Sequence, residues 1–240
     1  FDIQEAACSA AHGLGVEVCD DARTAATDVP VLLLSLFASE DRRHVLWGPQ
    51  AVAEAVPAGA VVLDTTTGRP ADVEKDHARL QQQDVRLIDV GVSGSSAAVA
   101  AGEALALVGD REQDAGDYVP VLDAFTQQQY YFGAAGRGHA AKLVTNCAIG
   151  LNRLVLAEAL GLADKAGFDL AVVLEILQQA ERYASAATTK GPKMIGGNYA
   201  PAVARLGQHA KDVSLILEYA GQVGAQVPVS ELHAGLLEEL

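Results

Sequence analysis

The chain has 240 residues, half of them hydrophobic and 20% charged, with a net charge of −14 and a pI near 4.7. This acidic balance lacks the basic patches that nucleic acid and anionic membranes attract, so neither is expected as a partner. Cys8, Cys19 and Cys147 show neither metal-ligand nor disulfide-framework spacing, which points to a cytoplasmic protein without a metal site.

In chain order, Phe1-Asp2-Ile3 reads as the end of a strand, and Phe1 is not a methionine. Residues are expected to be missing before it, and also after Leu240, where the chain stops inside an apolar helical pattern. Gln4 to Gly13 has helical character. The longest apolar run, Val31 to Ala38, is too short to span a bilayer, and within it Val31 to Leu36 suits a strand covered on both faces. A helix from Glu40 to Trp47 and a strand from Val61 to Asp64 follow.

Asp64-Thr65-Thr66-Thr67-Gly68-Arg69-Pro70 leads into a helix reaching Gln83. Its threonines could cap that helix, or the helix N-terminus could face a bound anion. Val85 to Val90 is the next strand. Asp89-Val90-Gly91-Val92-Ser93-Gly94-Ser95-Ser96 comes off it, either as a flexible turn or as a cradle for an anion. Ala104 to Val108 and Gln129 to Phe132 are two further strands. Strand and helix in alternation predict an α/β domain with a parallel sheet.

After Gly138 no strand is expected. His139 to Ala166 reads as one helix of about 28 residues, roughly 42 Å long, ended by Gly167. Gly150 and Gly161 inside it suggest close helix packing. Leu170 to Glu181, Leu206 to Gly224 and Val229 to Leu240 read as further helices. The expected division is residues 1–135 as the α/β domain and 136–240 as an all-α domain that includes the linking helix. Lys142 and Asn146 lie four apart near the start of that helix and so share a face.

Four motifs in register resemble the β-hydroxyacid dehydrogenase family, typified by 3-hydroxyisobutyrate dehydrogenase, over nearly the whole chain. Asp89 to Gly94 resembles its D-x-x-V-S-G-G. Gly138 to Asn146 resembles G-x-x-x-K-x-x-x-N, His209 to Asp212 resembles H-x-K-D, and Thr66 to Pro70 resembles S-T-x-x-P. The resemblance implies a Rossmann-type dinucleotide-binding domain, incomplete at its N-terminus, followed by the all-α domain. It implies hydride transfer between NAD or NADP and a small hydroxyacid or its semialdehyde, and a homodimer or homotetramer. Lys142 would be the general acid–base, with Ser93, Gly94 and Asn146 holding the substrate. Asp2, Leu36, Phe37, Thr67 and Lys211 would hold the cofactor. Asp2 would occupy the tip of a strand and favour NAD, because a 2′-phosphate would meet a carboxylate.

Three departures stand out: the chain lacks the family's G-x-G-x-x-G segment, Ser95 replaces the second glycine of S-G-G, and Ser35-Leu36-Phe37 replaces M-L-P. A phosphogluconate-type dehydrogenase would carry histidine where Thr145 stands, and an imine reductase usually lacks the lysine. A non-catalytic nucleotide-binding homologue is a third alternative. Ser95, Tyr183 and Lys190 are candidates for shaping substrate choice, whereas His139 reads as a helix-start residue.

Overall fold

The first compact unit, Phe1–Asn146, carries a five-stranded sheet in the order β1-β2-β3-β4-β5. The strands are β1 (Val31–Leu34), β2 (Val61–Asp64), β3 (Arg86–Ser93), β4 (Ala104–Val108) and β5 (Thr126–Tyr131). The helices are α1 (Glu5–Gly13), α2 (Ala22–Ala25), α3 (Ser39–Trp47), α4 (Val52–Ala55), α5 (Pro70–Gln81), α6 (Ser96–Ala100) and α7 (Val119–Asp123). They are followed by the first turns of α8 (Arg137–Lys165). This computed structural model describes residues 1–184, 196–198 and 206–239.

Side chains alternate across the strands, and both faces are covered. Val62 and Leu87 pack with Leu46, Val73 and Leu80 on one face, and Leu63, Ile88 and Val108 pack with Tyr118 and Leu122 on the other. That double burial is what the continuous apolar runs predicted. The sheet is not wholly parallel, however. β1, β2 and β3 are parallel, β4 runs antiparallel to β3, and β5 is parallel to β4. Only Gly94 to Glu103 separate β3 from β4, including the short α6. A parallel return requires a crossover of about a dozen residues or more.

The reversal also lengthens β3. Pairing Val90 with Val108 through Ser93 with Leu105 carries the strand to Ser93, beyond its expected end. β1 ends two residues earlier than expected, so Leu36 and Phe37 lie in the loop after it. Phe1-Asp2-Ile3 is not a strand. A strand is held by a ladder partner, and Asp2 instead turns the chain into α1 by accepting the Gln4 N–H at 2.8 Å.

The second unit, Cys147–Leu240, contains the rest of α8, then α9 (Leu170–Ala184), α10 (Leu206–Val223) and α11 (Pro228–Glu238). No strand occurs among its described residues. Glu158 on α8 caps α11. It accepts the Val229 N–H at 2.7 Å, and the Ser230 N–H and hydroxyl at 3.0 and 2.7 Å. Those are donors that a helix start leaves unpaired. Gly161 has open space around it, so close packing does not explain that glycine; the surroundings of Gly150 lie outside the described residues.

Candidate active site

The start of α8 lies against β3 and β4 with no room for side chains. A Cβ on Gly138 would stand 2.4 Å from the Leu107 carbonyl oxygen and 2.5 Å from that of Asp89. One on Gly91 would stand 2.7 Å from the Lys142 Cβ. These glycines therefore serve close helix–strand approach rather than a flexible turn. The approach puts Lys142 directly over the Gly91 backbone, two residues before Ser93.

Asp89 fastens this contact. It is fully buried, and its two carboxylate oxygens accept the backbone N–H groups of Gly136 at 2.8 Å and His139 at 2.7 Å. Burial pushes its carboxyl pKa up, while those N–H groups and nearby His139 oppose the rise. His139 is indeed in the first turn of α8. It is fully buried, with neither ring nitrogen hydrogen-bonded and Nε2 3.8 Å from the Asp64 carboxylate.

Lys142 is half-buried, and its pKa is lowered from 10.5 by burial. No ion pair to it occurs among the described residues. Asn146, one turn further on, is exposed. Ser93, the last residue of β3, is partly buried, and Gly94 is exposed against Ala104. Ser95 caps α6 by accepting the Ala98 N–H at 3.1 Å.

A second group forms beyond the carboxyl ends of β1 and β2. The Thr66 hydroxyl accepts the Leu36 N–H at 3.2 Å, and the Thr65 hydroxyl donates to the Leu34 carbonyl at 2.9 Å. These bonds tie the two loops together. They leave Thr67 exposed and Phe37 94% exposed. The threonines do not cap α5. Arg69 occupies its N-cap and Pro70 its first turn, where the missing N–H costs nothing.

Beneath the loops, the buried Arg42 of α3 bridges Asp64, at 2.6 Å, and Asp76 of α5, at 2.9 Å. Burial alone would lower the guanidinium pKa. The two carboxylates overcome that and raise it. Asp64 also accepts the Thr66 N–H at 3.1 Å, so the network sets the height of the Thr66-Thr67 loop.

From the sequence, Asp89 was read only as the first residue of its motif, and the Arg42 network was not singled out. Their signal was a lone acid in each apolar strand, Val61-Val62-Leu63-Asp64 and Leu87-Ile88-Asp89-Val90. A buried acid needs partners. The hydrogen bonds of Asp2 are local to α1. The Lys211 and Tyr183 side chains, and Lys190, lie outside the described residues.

Residues 1–133 match the family model for the NAD-binding domain of 6-phosphogluconate dehydrogenase. Residues 136–240 match that for NAD-binding of NADP-dependent 3-hydroxyisobutyrate dehydrogenase. The chain is 29% identical over 239 residues to 2-(hydroxymethyl)glutarate dehydrogenase of Eubacterium barkeri, covering 99% of this chain and 79% of that protein. The structure of Mycobacterium tuberculosis 3-hydroxyisobutyrate dehydrogenase with L-serine aligns at TM-score 0.68 and 25% identity, covering 100% of this chain and 83% of that one. The imine reductase of Myxococcus stipitatus with NADP+ aligns at TM-score 0.88, covering 99% and 83%; at 15% identity it attests the fold alone. The chain therefore belongs to the β-hydroxyacid dehydrogenase family, oxidoreductases that use a nicotinamide dinucleotide.

Proposed function

We propose that the protein transfers hydride between a nicotinamide dinucleotide and a small β-hydroxyacid or its semialdehyde, with Lys142 as general acid–base. The observation that carries this reading is Lys142 itself: a half-buried cation with lowered pKa, without an ion pair among the described residues, over Gly91, two residues before Ser93. The presence of a lysine there opposes an imine reductase, which usually carries another residue type, and Thr145 opposes a phosphogluconate enzyme.

The loops after β1 and β2 suit a dinucleotide. Tied together, they turn an exposed aromatic ring and an exposed hydroxyl outward beyond the strand carboxyl ends, where open α/β sheets bind ligands. Leu36, Phe37 and Thr67 would hold it, with Asp2 and Lys211 completing the set. The acidic Asp2, with no arginine before Arg23, favours NAD. When bound, the nicotinamide accepts or supplies the hydride.

In oxidation the neutral Lys142 amine takes the substrate hydroxyl proton. In reduction the ammonium returns a proton to the carbonyl oxygen. The Ser93 hydroxyl and the Gly94 N–H hold the substrate carboxylate, and the Asn146 amide holds the carboxylate or the hydroxyl. The functional division is residues 1–135 for the dinucleotide and 136–240 for the helical part, in the cytoplasm.

The pH dependence tests the assignment. Oxidation, measured as kcat/KM, should rise with pH and level off above an apparent pKa below 10.5. Reduction should fall with rising pH through the same value. A limb that survives in Lys142→Ala would contradict it.

The exposed apolar side chains of α8 support a homo-oligomer. Leu151, Leu154 and Val155 are more than half exposed. A contiguous exposed apolar surface usually marks an interface. By length and composition alone α8 could also cross a membrane. Sedimentation of the pure protein without detergent should show a discrete dimer or tetramer. Leu154→Glu should shift it towards monomer, whereas a wild-type protein that sediments as a monomer, or that stays in solution only with detergent, would reject the oligomer.

A further inference from the structure

The residues of β3 and α8 are matched in step. Asp89, Gly91 and Ser93 alternate along β3 and so face one side of the sheet. Two strand residues advance about 6.6 Å. Four helix residues advance about 6 Å. Gly138 lies over Asp89, and Lys142, four further on, lies over Gly91. Ser93 and Asn146 are the next residues at the same spacing along each element. A strand reading D-x-G is thus set beside a helix reading G-x-x-x-K, with Ser93 two residues further along the strand.

Such a match needs something to set its phase. One residue of slip would turn the helix face by about 100° and move it by about 1.5 Å. The helix start supplies no cap of its own, because Gly136, Arg137 and Gly138 offer no acceptor side chain. Its N–H groups at 136 and 139 are those that a capping box normally satisfies from within the helix. Here the buried Asp89 carboxylate takes both from the neighbouring strand, at 2.8 and 2.7 Å. A Cβ on Gly109 would stand 1.9 Å from an Asp89 carboxylate oxygen, so the carboxylate is enclosed and cannot swing aside.

We infer that Asp89 is a positioning residue, which sets the rotation and height of α8 and so aims Lys142 over Ser93 and Gly94. This rests on the acid–base assignment of Lys142. Asp89 does not touch the reacting atoms. It acts through the helix start, whereas the Arg42 network acts on the cofactor loop.

The test compares the full chain with Asp89→Asn, which keeps the size but turns one acceptor into a donor facing an N–H. Four quantities are read: kcat, the KM for hydroxyacid, the dinucleotide Kd by titration, and the pH profile. A misplaced lysine predicts kcat reduced about 100-fold, with dinucleotide Kd within about twofold and the lysine limb of the profile moved. An unchanged kcat would overturn the inference. So would a joint loss of kcat, dinucleotide affinity and Tm with the limb in its original place, which would make Asp89 a purely structural residue. If Asp89→Asn does not fold, Asp89→Glu decides by the same readouts, since it keeps the charge and both acceptors but displaces them by one bond. Full activity in Lys142→Ala would defeat the acid–base assignment itself, whatever the Asp89 variants do.

Discussion

Replacing Lys142 by alanine should lower kcat by about 10²–10⁴-fold, the range a general acid–base contributes, and leave the dinucleotide Kd nearly unchanged. The split follows from the position of the residue. Lys142 lies over Gly91 on β3, whereas Leu36, Phe37 and Thr67 stand on the loops after β1 and β2. Alanine keeps the helix and relieves no clash, so the fold should hold. Lys142→Arg should not restore the rate. A guanidinium stays protonated and cannot serve as the base in oxidation. Steady-state kinetics and a binding titration on the same preparations check both parts. A variant that retains most of its activity would remove Lys142 from the chemistry.

The largest expected loss of stability comes from Arg42→Met. Arg42 is fully buried between Asp64 and Asp76, and removing it strands two buried carboxylates. Breaking such a pair costs about 3–5 kcal/mol, which at this size lowers Tm by roughly 10 °C. The damage should reach function as well. Asp64 holds the Thr66 N–H, and Thr66 holds the Leu36 N–H, so the loops carrying Thr67 and Phe37 lose their tie. Dinucleotide affinity should weaken while the pH profile of Lys142 keeps its limb. Adding Asp64→Asn and Asp76→Asn to Arg42→Met should recover part of the stability, because the uncompensated charges are gone. Thermal denaturation of the single and triple variants checks this; equal Tm for Arg42→Met and the parent would refute the role of the network.

These two sites differ in how far they were legible in the sequence. Lys142 and Asn146 were visible because a helix repeats every 3.6 residues, and i, i+4 spacing puts two side chains on one face. The first four strands were visible because apolar runs such as Val61-Val62-Leu63 have no use except burial on both faces, whereas the polar β5 starts at Thr126, three residues before its expected start at Gln129. The direction of β4 was not visible. It depends on the length of the connection after Ser93, and the short α6 inside it carries little periodicity. The Arg42 network was hidden for a different reason. Its members lie 22 and 34 residues apart, and nothing local distinguishes a buried arginine on α3 from a solvated one.

The glycines show the same limit from the other side. Gly91 and Gly138 were legible as marks of an unusual backbone. A turn and a close approach have the same glycine signature, and only the Lys142 Cβ opposite Gly91 distinguishes them. The threonines before Pro70 misled because Ser, Thr and Asp ahead of a helix normally cap it. Here Gly68 and Arg69 intervene, and the Thr65 and Thr66 hydroxyls bond to the β1 loop instead.

The central claim, hydroxyacid oxidation by way of Lys142, is tested most directly by initial rates of dinucleotide reduction. The full chain would be assayed with a panel of small β-hydroxyacids and both NAD and NADP, beside cyclic imines with the reduced cofactors. The account predicts reduction of the dinucleotide by at least one β-hydroxyacid, faster with NAD, and its collapse in Lys142→Ala. Turnover of imines alone, or no binding of either dinucleotide, would contradict it.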